Sequence, residues 1–161
     1  MTATWTSPRT WVTGEIVAAA QMNEHLRDNL DYLKARPASR AVEFAGPVIS
    51  TSSTSFVDVP GATVNITTSG SSKLLILASG TTSPSSTANS MYVTVLVDGV
   101  NQGNSSAGMV ETRFQHIGAF AITFLTAAAV SNGAHTVKLQ CRVSAGTIAL
   151  TQFSLVVMEV G

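Results

Sequence analysis

His25, Arg27, Asp28 and Asn29 fall within five residues, a set that would offer a general base, a cation and an orienting carboxylate if the groups met at one point. On a helix they spread around the surface opposite Met22, Leu26 and Leu30, so they read as surface or interface hydrogen-bonding groups rather than a catalytic cluster. His116 and His135, the other histidines, stand in no HxH or HExxH spacing, and Cys141 is alone, so neither a zinc site nor an internal disulfide is expected. Serine is plentiful, yet no Gly-x-Ser-x-Gly elbow occurs, and Gly103–Gly108 lacks the spacing. Phosphate-binding glycine motifs are missing too. The sequons at Asn65 and Asn104 read as chance matches in a Ser/Thr-rich chain. These observations predict no catalytic residue, no metal ligand and no cofactor.

With chemistry set aside, composition sets the class. The 161 residues suit one domain with an appendage. Apolar residues make up 45% and charged ones 11%, with zero formal net charge, which gives no electrostatic reason to bind nucleic acid or anionic lipid. Charge is concentrated early, from Arg9 to Glu43. Beyond Phe44 only Asp58, Lys73, Asp98, Glu111, Arg113, Lys138, Arg142 and Glu159 remain. So sparse a set predicts that neighbouring chains cover part of the surface. No secretory signal or bilayer-length apolar run is present, so a soluble protein made in a cytoplasm is expected.

Four segments follow from periodicity. Residues 1–12 read as an extended arm carrying Trp5 and Trp11 around Pro8. Residues 13–36 read as an amphipathic helical segment, with Thr13 as a candidate cap, Glu15 in its first turn, continuous helix from Val17 or Ala18 to about Lys34 and an Arg27–Asp31 pair. Met22, Leu26, Leu30 and Leu33 form one stripe. Residues 37–41 are a linker, and 42–161 a β-domain. Its expected strands are Val42–Ala45, Phe56–Val59, Thr63–Thr67, Lys73–Ala78, Met91–Val97, Ala119–Leu125, His135–Val143 and Ile148–Val160. Turns are expected at Pro60-Gly61, Ser69-Gly70, Asp98-Gly99 and Asn132-Gly133. Ser50–Ser55, Gly80–Ser90 and Gln102–Gly108 read as polar loops. Eight strands predict an antiparallel jelly-roll sandwich, making the fold mainly β. Val137, Leu139, Cys141 and Val143 should face its core, with Cys141 an inert core thiol. The last strand is apolar on both faces: Phe153, Leu155 and Val157 on one, Val156, Met158 and Val160 on the other. One face should be covered by another subunit, although cover by the N-terminal helix would read the same way.

The segment from Thr4 to Lys34, TWTSPRTWVTGEIVAAAQMNEHLRDNLDYLK, resembles a leader found in small structural proteins of tailed bacteriophages, especially those of high-GC Gram-positive hosts. The resemblance rests on Trp5, Pro8, Arg9, Trp11, Gly14, Glu15, Asn23, His25, Leu26, Arg27, Asp28, Asn29 and Leu30. The β-domain resembles trimeric jelly rolls of the tumour-necrosis-factor type, as in fibre knobs and head decorations. This implies a non-enzymatic virion protein, made in the host bacterial cytoplasm, that binds itself as a homotrimer. It would also bind other virion proteins, such as the major capsid protein or tail proteins, and neither nucleic acid nor membrane. Attachment to the particle would fall to Trp5, Pro8, Arg9, Trp11, Met22, Leu26, Leu30 and Leu33, with Trp5 and Trp11 docking outside their own β-domain. Subunit contacts would fall to Phe153, Leu155, Val156, Val157, Met158 and Val160. Head or tail location stays open. The alternative is a tail-tip or tail-fibre module binding host-surface carbohydrate through Gly80–Ser90 and Gln102–Gly108, loops without the aromatic faces such recognition favours.

Overall fold

The structure, a computed structural model, describes residues 6–35, 39–44, 48–68, 71–84, 90–113 and 117–160. Trp5, His116, Ser69-Gly70 and the linker residues Arg36, Pro37 and Ala38 lie outside the described residues, as does the side chain of Leu33. Two units are distinguished, Met1–Ala38 and Ser39–Gly161.

In the larger unit, alternating side chains of HTVKLQCRV place His135, Val137, Leu139, Cys141 and Val143 on a buried face, and the same period recurs in the facing strands. The strands are β1 (Ser39–Phe44), β2 (Ile49–Thr51), β3 (Val57–Thr68), β4 (Lys73–Pro84) and β5 (Ser90–Val97). They continue with β6 (Val100–Asn101), β7 (Val110–Arg113), β8 (Gly118–Leu125), β9 (Gly133–Val143) and β10 (Ile148–Val160). One sheet, here sheet A, runs β1-β10-β4-β8, with β2 also on β10. The other, sheet B, runs β3-β9-β5-β6, with β7 also on β5. All pairings are antiparallel. Counting β1 with β2, and β6 with β7, as interrupted strands gives four positions per sheet, the jelly-roll arrangement. Leu74, Ile76, Met91, Leu139, Ile148 and Leu155 are fully buried between the sheets. Each such side chain contributes roughly 1.5–3 kcal/mol.

Several local expectations need correction. Pro60-Gly61 does not end a strand: the two segments expected on either side form β3, with a register shift between Asp58 and Thr63 and Gly61 at φ +80° absorbing the irregularity. Gly80–Pro84 belongs to β4, because β10 and β8 on both sides supply its ladder partners. Ile49–Thr51, within an expected loop region, pairs with Leu150, Ala149 and Ile148. The first strand starts at Ser39, inside the expected linker, since β10 is long enough to pair with it from Met158 onwards. Asp98-Gly99 is the expected two-residue hairpin turn, with φ of +50° and +80° closing Val97 onto Val100.

The smaller unit holds a helix that begins at Ala19, close to the expected Val17 or Ala18, with Ala18 and not Thr13 at the cap position. It runs through Ala19–Met22 (α1), a π-helical turn Asn23–Arg27 and Asp28–Ala35 (α2). Val12–Glu15 is instead a turn, with Glu15 N–H donating to the Val12 carbonyl (3.0 Å) and Gly14 at φ +82°. Gln21 accepts from the Ala18 N–H (3.1 Å), supplying the cap assigned to Thr13.

Candidate functional site

The arm folds onto its own helix. Asn29, buried on α2, accepts from Thr6 N–H (2.9 Å) and donates to the Thr6 carbonyl (2.9 Å) and to the His25 carbonyl (3.1 Å). Arg9 pairs with Glu15, and its guanidinium lies 4.7 Å from the centre of the Trp11 ring, which meets His25 edge to face at 6.2 Å. Glu15 therefore serves the arm rather than the helix dipole. Arg27 pairs with adjacent Asp28 (2.8 Å) and not with Asp31. Trp11 finds part of its packing inside this N-terminal unit, yet stays 38% exposed. The side opposite these contacts stays open: Ile16 is 94% and Leu30 63% exposed, and Val12, Val17, Met22 and Leu26 are exposed as well. Of the residues expected to attach the chain, Met22, Leu26 and Leu30 are thus available to a partner. Arg9 is used internally, and Pro8 is exposed.

In the larger unit the two outer faces differ. On β10, Phe153, Leu155 and Val157 are buried, so the structure places them in the core and not at a subunit contact, whereas Val156, Met158 and Val160 lie half-buried on the outer face of sheet A. Register extends that face sideways: Met158 pairs with Leu75 and Leu75 with Leu125. Val156 pairs with both Ala41 and Leu77. Lys73, beside Val160, and Glu43, beside Ser154, are the charged residues of this face among the described residues. Further along, a pocket of about 420 Å³ is lined by Glu43, Ser79, Thr81, Ala119, Gln152 and Ser154 around Gly80. A side chain at Gly80 would meet the Phe120 ring at 2.5 Å, so the sheet is thinned there of necessity.

The outer face of sheet B is polar and internally paired. Asp58 accepts from Lys138 (2.7 Å) and Gln140 (2.7 Å), and the Lys138 bond first of all, then Gln140, holds its carboxyl below the usual value despite partial desolvation. Arg142 stacks on Tyr92 (3.9 Å) and Phe56 (5.5 Å) and donates from Nε to the Ser106 carbonyl (3.0 Å). Ser106 belongs to the Gln102–Gly108 loop, which is built rather than slack: Asn104 Oδ1 accepts from Ser106 and Ala107 N–H (2.8 and 3.0 Å).

The remaining reactive residues do not converge. Cys141 is buried among apolar neighbours, and burial pushes its thiol up to about 11. His135 is bonded to Asp98, and no group of three or more His, Cys, Asp or Glu suited to a metal occurs among the described residues. No helix there is long and apolar enough to cross a membrane. The residues that sequence reasoning overlooked are Asn29 and His135, single polar residues whose partners lie far away in sequence. What the geometry offers is association through two apolar surfaces, one in each unit.

No family model and no curated protein matches the chain. Among solved structures, the fold is similar to a chain of infectious bursal disease virus, Gx strain, with TM-score 0.54 and 14% identity over 79% of this chain and 33% of that one. The crystal structure of the infectious bursal disease virus VP2 subviral particle aligns with TM-score 0.48 and 15% identity over 77% of this chain and 33% of that one. The chain spans about a third of the length of these viral chains.

Proposed function

We propose that this chain is a structural protein of a bacteriophage virion. It acts by association alone, as a homotrimer of jelly rolls held on the particle by its N-terminal unit. The observation that carries this reading is the contrast between the outer faces: sheet B presents paired polar groups, while sheet A presents Leu75, Leu77, Leu125, Val156, Met158 and Val160. A solvated antiparallel sheet normally turns its polar side outwards, so an apolar outer side fits burial against another copy. The virus fold similarity and the phage-leader resemblance support the setting. Three copies of the Ile16, Met22, Leu26 and Leu30 surface would then bind neighbouring virion proteins, such as the major capsid protein or tail proteins, with an avidity no single copy attains.

The test uses the full chain. Light scattering at micromolar concentration is expected to give three times the monomer mass, and Leu26→Asp with Leu30→Asp is expected to preserve that mass while lowering occupancy on particles at least tenfold. A stable monomer overturns the trimer; unchanged occupancy overturns the anchor.

A second reading has one observation in its favour. Phe56 and Tyr92 flank Arg142 beside the Gln102–Gly108 loop, so this loop has aromatic neighbours that its own sequence lacks. A tail-tip or tail-fibre module contacting a host-surface carbohydrate would use that end of sheet B.

A further inference from the structure

At one end of the sandwich two connections meet a single imidazole. His135, buried at the start of β9, has Nδ1 2.7 Å from Asp98 Oδ2 and Nε2 2.8 Å from the Ser131 carbonyl. Asp98 sits in the β5–β6 turn and Ser131 in the β8–β9 connection. Ser131's carbonyl also accepts from Thr68 Oγ1 (2.7 Å) at the end of β3. Asp98 is fixed in turn, because its Oδ1 accepts from Thr136 N–H (2.8 Å) and its own N–H donates to the Thr136 carbonyl (2.9 Å).

Both ring nitrogens therefore face acceptors. A neutral imidazole carries one N–H and one lone pair, so either tautomer points a lone pair at a carboxylate or at a carbonyl; only the doubly protonated ring satisfies both. We propose that Asp98, His135 and Ser131 form a proton-dependent latch: the imidazolium ties the β5–β6 turn and the β8–β9 connection to β9, and loss of its proton breaks one of the two ties.

The surroundings agree. Burial disfavours the charged ring, but the bonds to Asp98 and Ser131 and the Asp98 charge outweigh it and raise the His135 pKa above its ordinary 6.5. Asp98 is likewise opposed by burial and held below its ordinary 3.8 by His135 and the Thr136 N–H. On the neighbouring strand β3, Ile66 is the register partner of His135 and Thr68 is uncharged. Lys138, further along β9, is turned outwards onto Asp58, and across the sandwich sheet A presents Glu159, bonded to Ser72 Oγ. A histidine with a raised folded pKa contributes stability that is full below 6.5 and is lost as pH rises through the folded value; Asp98's share is lost at the acid end.

The experiment is a proton–nitrogen NMR titration of the full chain from pH 5 to 9, with His135 assigned by the signal missing in His135→Gln. Amide exchange is followed in parallel, with rates normalised for the intrinsic effect of pH. The expected result is a His135 midpoint above 6.5 that falls by about one pH unit in Asp98→Asn. Protection at Asp98–Val100 or at Ser131–Thr136 should drop about tenfold as wild-type His135 deprotonates, while Val93–Val95 stays protected. A midpoint at or below 6.5 in the wild type, or protection in both segments unchanged from pH 5 to 9, overturns the latch; the exchange readout uses the wild-type chain alone.

Discussion

Val156 and Val157 are adjacent on β10, and opposite faces of sheet A give them opposite fates. Val157 is fully buried, so Val157→Ala removes two methyl groups from a closed core: about 0.8 kcal/mol for each, plus a cavity contribution, for a total of roughly 2–3 kcal/mol. For a domain of this size that lowers the melting temperature by about 8–12 °C, with the oligomer retained below the transition. Val156 lies half-buried on the outer face beside Ala41 and Leu77, where a carboxylate in an isolated subunit keeps its water. Val156→Asp should therefore cost the isolated subunit about 1 kcal/mol or less. Against a second copy, the same charge would be buried without a counter-ion, a cost of several kcal/mol that no apolar contact offsets. Light scattering combined with thermal unfolding at several protein concentrations separates the effects. Wild type and Val157→Ala should both be oligomers whose melting temperature rises with concentration; Val156→Asp should be a folded monomer whose melting temperature does not. If Val156→Asp remains an oligomer, or Val157→Ala melts with the wild type, the assignment of the two faces is wrong.

Gly80→Ala places a methyl group 2.5 Å from Phe120 and 2.9 Å from the Gln152 carbonyl, and is expected to destabilise by roughly 1–3 kcal/mol, read as a lower melting temperature by circular dichroism; an unchanged one refutes the close approach. Asn29→Ala deletes the clamp on Thr6 at a local cost of about 1–3 kcal/mol, so the Thr6 amide should exchange faster while the β-domain melts as before. Unaltered exchange at Thr6 would show that the arm is held by something else.

The sequence announces most of what has a period. In Val137–Val143 and in Phe153–Val157 the inward side chains are apolar at every second position, and the pattern fixes the buried face without reference to any neighbour. Asp98-Gly99 is equally legible, because two consecutive positive φ values are tolerated by few residue pairs. Where a strand depends on its partners, the text is silent. Val110–Arg113 has no apolar alternation and exists through its pairing with β5; Gly80–Pro84 reads as loop until β8 and β10 flank it. The helix cap was misplaced because Thr13 and Glu15 fit a cap by type, while Gly14 and the Arg9–Glu15 pair commit them to a turn. The polar contacts that organise each unit, Asn29 with Thr6 and His135 with Asp98, join positions no local window connects.

The placement of charge bears on how such a protein would assemble. Arg9 with Glu15, Arg27 with Asp28, Arg113 with Glu111, Lys138 with Asp58 and His135 with Asp98 each close within one unit, so many of the few charges present are already spent on neighbours. Several are exposed and contribute little to stability. Their effect is to leave both apolar surfaces without strong fields beside them. Such surfaces cannot gather partners from a distance by electrostatic steering, so encounter would proceed at ordinary diffusive rates and selectivity would rest on shape. Fit is demanding where the surface is varied. Sheet A offers this in projecting Leu77 and Met158 at one end and the hollow around Gly80 at the other, a relief that a flat apolar patch would lack.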